Sequence, residues 1–231
     1  MRIAVFGAGG RAGRAVTAEA VLRGHEVSAL VRRVPPHAGL ASPSVTVTRA
    51  DVTDPGEVAR AAAGCAALVS AVTPASSPEA LARLDASGTD YADYFANAAA
   101  ALLAARPARL VVIGLFATLR TPGGGLVLDD PSAFPSSLRP YALAHLAGLR
   151  RLESGPADVD WAALTPTAGL RHEGARTGRY RLGGETVPAE DATLSYVDLA
   201  VAVLDEIESP TVHRRRASVF GAAGAPGGDI S

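Results

Sequence analysis

The chain contains no lysine; arginine supplies every fixed positive charge. No lysine Schiff base can form, and no ammonium can assist a catalytic tyrosine. A guanidinium stays charged, so arginine does not take over such chemistry. Cys65 is the only cysteine, which excludes intrachain disulfides and a cysteine-based zinc cage, and no metal site is expected. Beside Gly64 it reads as a small buried apolar residue. Long apolar runs are lacking too. Met1 to Phe6 leads straight into glycines, too short a stretch for a signal peptide or a membrane span, and the expected location is the cytoplasm. A large excess of either charge is also missing. The formal net charge of -1 is spread along the chain and gives no reason to expect nucleic acid or an anionic membrane as partner. Small molecules are the expected ligands, bound by a monomer or a homodimer.

The 231 residues, 48% of them apolar, suffice to bury one sizeable core. Ile3 to Phe6 is a short apolar run that ends at Gly7 and is followed by an alanine-rich helical stretch, Arg11 to Arg23. Glu26 to Val31 and Val45 to Thr48 read as the second and third strands. Asp54-Pro55 opens a helix through Ala63, and Ala66 to Val72 makes a fourth strand. Thr89 to Arg106 reads as a long helix and Leu110 to Ile113 as the fifth strand. Ser136 or Ser137 is positioned to cap a helix reaching Glu153, before a sixth strand, Asp160 to Leu164. This alternation predicts an α/β fold with a doubly wound parallel sheet. Beyond it, the pattern predicts a short hairpin over Arg179 to Val187, a helix over Tyr196 to Glu206, and an edge strand over Ala217 to Phe220. The Gly- and Ala-rich residues 222–231 read as a loose tail.

Gly7-Ala8-Gly9-Gly10-Arg11-Ala12-Gly13 fits Gly-x-Gly-x-x-Ala from Gly7 and Gly-x-x-Gly-x-x-Gly across Gly7, Gly10 and Gly13. Placed between the first strand and a helix, such a loop lets backbone N–H groups approach a pyrophosphate under the positive end of the helix dipole. The plainer reading is a tight strand-to-helix turn. An acidic residue after the second strand would hold the free ribose hydroxyl of NAD; Arg32 and Arg33 stand there instead. A guanidinium pairs with a ribose phosphate, which favours NADP (as NADPH) over NAD. Alternatively these arginines are solvated loop charges. Residues 1–221 thus read as a single NAD(P)-binding Rossmann-type domain, with 165–221 a small irregular elaboration on the substrate side.

The chain resembles the NAD(P)H-binding, NmrA-like atypical short-chain dehydrogenase/reductase group, especially its flavin-reductase-like and biliverdin-reductase-B-like members. The likeness spans nearly the whole chain. It is carried by Arg2 to Gly13, Ala29-Leu30-Val31-Arg32, Ala50-Asp51-Val52-Thr53-Asp54, Leu110 to Gly114, Asp160-Trp161 through Pro166, Thr177-Gly178-Arg179-Tyr180 and Tyr196-Val197-Asp198-Leu199-Ala200. The resemblance implies that Asp51 and Val52 lie near the adenine, and that Ser70, Ala71 and Val72 flank the nicotinamide-side ribose. It also implies that Gly7, Gly9, Gly10, Ala12 and Gly13 form the phosphate loop, with Arg11 closing over the phosphates. The group's Gly-Gly-Ala-Gly-Ser-Leu-like stretch is here Gly114-Leu115-Phe116-Ala117-Thr118-Leu119, with bulk at two glycine positions.

In the wider superfamily a Ser or Thr, a Tyr, and a Lys four residues later handle the carbonyl proton; this chain offers Thr118, Tyr141 and His145. Tyr141 and His145 are spaced to share a helix face. As imidazolium, His145 would lower the phenol's pKa; as neutral imidazole it could relay a proton. The plainer reading has Tyr141 packing at the start of its helix and His145 on the surface. Tyr91, Tyr94 and Phe95 are an aromatic group that either packs the core or stacks a flat acceptor. Arg171-His172 either binds an anionic substrate group or, more simply, is a solvated loop, and Arg214-Arg215-Arg216 reads as an exposed charge run. The leading expectation is an NADPH-dependent oxidoreductase acting on a small conjugated, aromatic or flavin-like acceptor. The alternatives are an NmrA-like non-catalytic NADP-binding sensor and a redox-neutral isomerase, epimerase or cyclase.

Overall fold

A computed structural model describes residues 1–75, 83, 91–172, 174–188 and 193–222. The first strand, β1 (Arg2–Phe6), sets the layering. Ile3 and Val5 enter one core, Ala4 and Phe6 the other, and all four are buried. A strand covered on both faces reads as a continuous apolar run, which is how Ile3 to Phe6 is written.

The chain continues through α1 (Arg11–Leu22), β2 (Glu26–Val31), β3 (Val45–Arg49), α2 (Pro55–Ala62), β4 (Ala67–Ser70), α3 (Tyr94–Ala104), β5 (Arg109–Ile113), α4 (Arg139–Glu153) and β6 (Asp160–Pro166). It ends with β7 (Leu170–Arg171), β8 (Tyr180–Leu182), β9 (Leu194–Ser195), α5 (Tyr196–Glu208) and β10 (Arg215–Gly221). Strand order is β3-β2-β1-β4-β5-β6-β10-β8, parallel except for the last pairing. α1 and α5 pack together on one face; α2, α3 and α4 form the other layer. Chain direction away from the centre reverses between β1 and β4, so a crevice opens at their carboxyl ends.

Local chemistry explains most boundaries. Asp54 caps α2 by accepting from the Glu57 N–H at 2.8 Å, with Pro55 in the first turn. Ser195 caps α5 through the Asp198 N–H at 3.0 Å. Neither Ser136 nor Ser137 caps α4; Ser136–Leu138 is a 3-10 turn that leads into it. The expected start of the long helix at Thr89 and the tail from residue 223 lie outside the described residues.

Three expectations are corrected in the C-terminal third. Residues 179–187 do not pair as a hairpin: only Tyr180–Leu182 is strand, and it lies antiparallel on β10. β10 is therefore interior, flanked by β6 and β8, and not an edge. Its run from Arg216 to Gly221 is buried throughout, as two-sided cover requires. The arginine run is not a solvated patch either. Arg214 donates to the Val159 carbonyl at 2.8 Å and Arg216 is 5% exposed, which leaves Arg215 as its exposed member. Cys65 is half-buried rather than buried, with its thiol donating to the Ala61 carbonyl at 3.4 Å.

A buried ion pair ties the sheet to α5. Arg109, at the start of β5, donates to Glu206 Oε2 at 2.8 Å, to the Glu206 carbonyl at 2.8 Å and to Asp160 Oδ2 at 2.9 Å. Glu206, 1% exposed, also accepts from the N–H groups of Thr211 and Val212. Every arm is occupied, so removing one partner strands the other in the interior. Arg109→Met is expected to cost about 3–5 kcal/mol. Thermal denaturation should show this as a fall in Tm of roughly 6–20 °C for a chain of this size. A Tm within about 2 °C of the parent would remove the pair from the list of structural ties.

Candidate nucleotide and substrate site

Three backbone segments meet at the carboxyl end of β1, and the glycines are there because no side chain fits. Gly7 has φ +80°, and a Cβ on it would sit 2.4 Å from the Ala71 carbonyl oxygen. A Cβ on Gly13 would sit 2.1 Å from the Gly7 oxygen, so α1 rests directly on the loop. Gly10 differs: it is extended (φ −78°, ψ 175°), exposed, and a Cβ would meet only the Gly7 oxygen at 3.4 Å. The N–H groups of Arg11, Ala12 and Gly13 form the first turn of α1, where a helix has no acceptors of its own. Oriented donors and the dipole's positive end therefore face the crevice. Arg11 is exposed at the first position of the helix, and Ala12 follows half-buried.

Gly9 is covered by a residue that no sequence pattern indicated. The 3-10 turn Pro35–Leu40 lays the His37 imidazole over it, where a Gly9 Cβ would lie 2.5 Å from the ring. Arg14 braces this contact, reaching the Gly9 carbonyl at 3.0 Å and His37 Nδ1 at 3.4 Å. Arg32 is exposed beyond β2, with one N–H reaching the Pro74 carbonyl at 3.4 Å. Across from it, Asp51 holds the Thr53 N–H and hydroxyl at 2.9 and 2.8 Å. Burial alone would raise the Asp51 pKa, but the Thr53 bonds and the charges of Arg32 and Arg49 bring it below its ordinary value. Val52 is 4% exposed, its side chain committed to the core with Phe6 and Leu30.

Ser70 ends β4, and with Val72 it borders a pocket that runs between the sheet and helices α3 and α4. Ala71 lies at the glycine loop instead, its N–H donating to the Phe6 carbonyl at 2.9 Å. Thr118 and His145 line the same pocket, whereas Tyr141 stands outside its lining. The Tyr141 hydroxyl is 3.0 Å from Thr73 Oγ1, which itself donates to the Ala75 carbonyl at 2.6 Å. Thr73 has one proton, so Tyr141 is the donor in that pair. The Thr118 hydroxyl donates to the Leu115 carbonyl at 2.8 Å and has no second proton for a substrate.

Of the two states left open for His145, its surroundings favour the neutral imidazole. His145 stacks on Phe95 at 3.6 Å between ring centroids, and its Nε2 is buried without a partner. Burial pushes its pKa down to about 3, so the ring is neutral. It meets Tyr141 edge-on at 4.8 Å, a shared helix face as expected. The phenol's pKa is not lowered: burial raises it, with only partial relief from the Thr73 contact. Tyr91 and Phe95 are packed with Tyr141 in a small aromatic core, which favours packing over acceptor stacking for that group. Arg171 and His172 are exposed, as expected. Among the described residues no group of His, Cys, Asp or Glu is placed to hold a metal ion. No helix among them is long and apolar enough to cross a membrane.

The model of a family described as NAD(P)H-binding matches residues 7–210. The chain belongs to this NAD(P)H-binding family. Its sheet is the mostly parallel, Rossmann-like one. It is 30% identical to the uncharacterised protein YwnB of Bacillus subtilis, covering 96% of this chain and 100% of that one. A solved structure from Streptococcus pneumoniae, named as a candidate NADH-flavin reductase, is 26% identical with a TM-score of 0.78 over 96% of this chain and 100% of that one. Another from Bacteroides thetaiotaomicron, named as a candidate epimerase, is 28% identical with a TM-score of 0.80 over 97% and 98%.

The loop geometry separates two glycine roles. Gly10→Val should fold, because its Cβ is tolerated, yet lose at least about tenfold in NADPH affinity as the side chain enters the space before the helix N-terminus. Gly13→Val should instead destabilise the chain itself, since the clash is with backbone. Calorimetric titration and thermal melts of the two variants check this; undiminished binding by Gly10→Val would move the pyrophosphate elsewhere.

Proposed function

We propose that the protein is an NADPH-dependent reductase of a small conjugated, aromatic or flavin-like acceptor. One observation carries the reading: the glycine loop, the Arg32–Asp51 ribose end and the pocket bordered by Ser70, Val72 and Thr118 lie in sequence along the carboxyl edge of one sheet. A dinucleotide has this layout. Loop and helix donors would hold the pyrophosphate, Arg32 the ribose phosphate, and Asp51 the adenine side, with Ser70, Ala71 and Val72 at the other ribose. The bound reduced nicotinamide supplies hydride.

The chain's own contribution is binding, dryness and a proton. The pocket's apolar wall keeps water from the reacting end. Tyr141, protonated because its pKa is raised, can turn its O–H from Thr73 to a developing substrate oxygen. Thr73 thus parks and orients the phenol, and the proton of Thr118 stays committed to the Leu115 carbonyl. His145, neutral, supports the pocket wall and does not tune the phenol by charge.

Arg32→Ala should weaken NADPH more than tenfold, at about 1.5–3 kcal/mol for a lost charge-assisted contact, and leave NADH nearly unchanged. Parallel calorimetric titrations decide this, and equal losses would place the ribose phosphate away from Arg32. Tyr141→Phe should lower turnover of a carbonyl acceptor by roughly 10²-fold or more without loosening NADPH. The parent's rate should show no step between pH 5 and about 8, because the depressed pKa of His145 lies below that range and the raised pKa of Tyr141 above it. A step near pH 6.5 that vanishes in His145→Leu would restore His145 as the titrating group. Product formed without NADPH consumption would favour the redox-neutral alternative, and tight NADPH binding with no turnover across quinones, flavins and enones the sensor.

A further inference from the structure

The pocket between the sheet and helices α3 and α4 is partly open to solvent. Phe95, Ala98, Leu102, Leu149 and Leu152 make its wall apolar. Five polar side chains also line it, and three of them have one buried atom without a hydrogen-bond partner: His145 Nε2, Thr165 Oγ1 and Arg216 Nε. Thr165 is fully buried and Arg216 is 5% exposed. Both rise from one face of adjacent strands, where Ala163 pairs with Arg216 and Thr165 with Ser218. Buried polar atoms are nearly always paired, so three orphans on one pocket call for a physical explanation.

Their chemistry narrows what would satisfy them. The charge of Arg216 is already balanced, with Nη2 2.9 Å from Glu185 Oε2 and Nη1 donating to the Thr118 carbonyl. Its Nε–H is a donor and never an acceptor. Thr165 Oγ1 can donate, and a neutral imidazole nitrogen donates or accepts according to its tautomer. A single carbonyl oxygen, with two lone pairs, complements this set. An ammonium would face a guanidinium donor, and a carboxylate would bring an unbalanced charge into an apolar wall.

We infer that this pocket is a binding site for an uncharged, ring-sized apolar molecule whose carbonyl oxygen accepts from the Thr165 and Arg216 donors. The site is distinct from the glycine loop and binds whether or not a nucleotide is turned over. Gly114, Leu115 and Thr118, which follow the end of β5, are part of its lining. A ring held there keeps its carbonyl in a dry, donor-lined recess.

Acetophenone and ethylbenzene are nearly the same shape and differ by that oxygen. Titration of the full chain without nucleotide, followed by protein-observed methyl NMR, should show saturable acetophenone binding with shifts centred on Leu102, Leu149 and Leu152. Acetophenone should bind about tenfold more tightly than ethylbenzene. Thr165→Val preserves side-chain shape and should bring the two affinities within about threefold of each other; Ala98→Leu should fill the pocket and abolish both. Should either variant fail to fold, the methyl shift map and the affinity ratio of the parent still decide. No saturable binding, equal affinities in the parent, or shifts centred elsewhere would overturn the inference. NADPH titrations run in parallel keep the two claims apart: loss of nucleotide binding with acetophenone binding intact would count against the reductase alone.

Discussion

The contact of Gly13 with the Gly7 carbonyl oxygen is the constraint on which the site depends. Any Cβ there would force α1 away from the end of β1, and with it the first-turn N–H groups that face the crevice. Gly7 in turn sits under the Ala71 carbonyl, so the chain after β4 is placed by the same stack of backbone on backbone. The glycine-loop end and the pocket end of the crevice are thus fixed relative to each other by three segments that touch without side chains. That arrangement is rigid because protein packing leaves no room for partial adjustment at such distances.

Much of this was legible in the sequence. Strands β1 to β6 are written as short apolar runs between helical stretches, and β2 matches its expected bounds residue for residue. The cap at Asp54 follows from local chemistry. The failures have a common cause, which is long-range pairing. Nothing in Arg214-Arg215-Arg216 says that β8 will cover β10 and carry Arg216 inside, and a buried arginine looks like any other arginine until Glu185 and the Thr118 carbonyl are brought to it. His37 over Gly9 and Thr73 under Tyr141 were missed for the same reason. Each follows a short segment whose direction local propensity does not determine. The Tyr141-to-His145 spacing was legible, but the protonation state was not, because it is set by the depth of the pocket and not by the helix.

The absence of lysine leaves Tyr141 without an ammonium four residues on. A lysine placed four residues after a tyrosine can hold a positive charge near the phenol and make it a stronger acid. Here that position holds a neutral imidazole stacked on Phe95, and the phenol is left with its pKa above the ordinary value. Such a phenol is a weak acid and transfers its proton only to a strongly basic oxygen, since efficiency in general-acid catalysis follows the driving force for transfer. Reducing a simple carbonyl generates an alkoxide-like oxygen, which is that kind of base. A reduced quinone or flavin is a far weaker one and can take its proton from solvent. Under the proposed mechanism the two acceptor classes make different demands on the same residue: Tyr141 would matter for a carbonyl and be dispensable for a flavin.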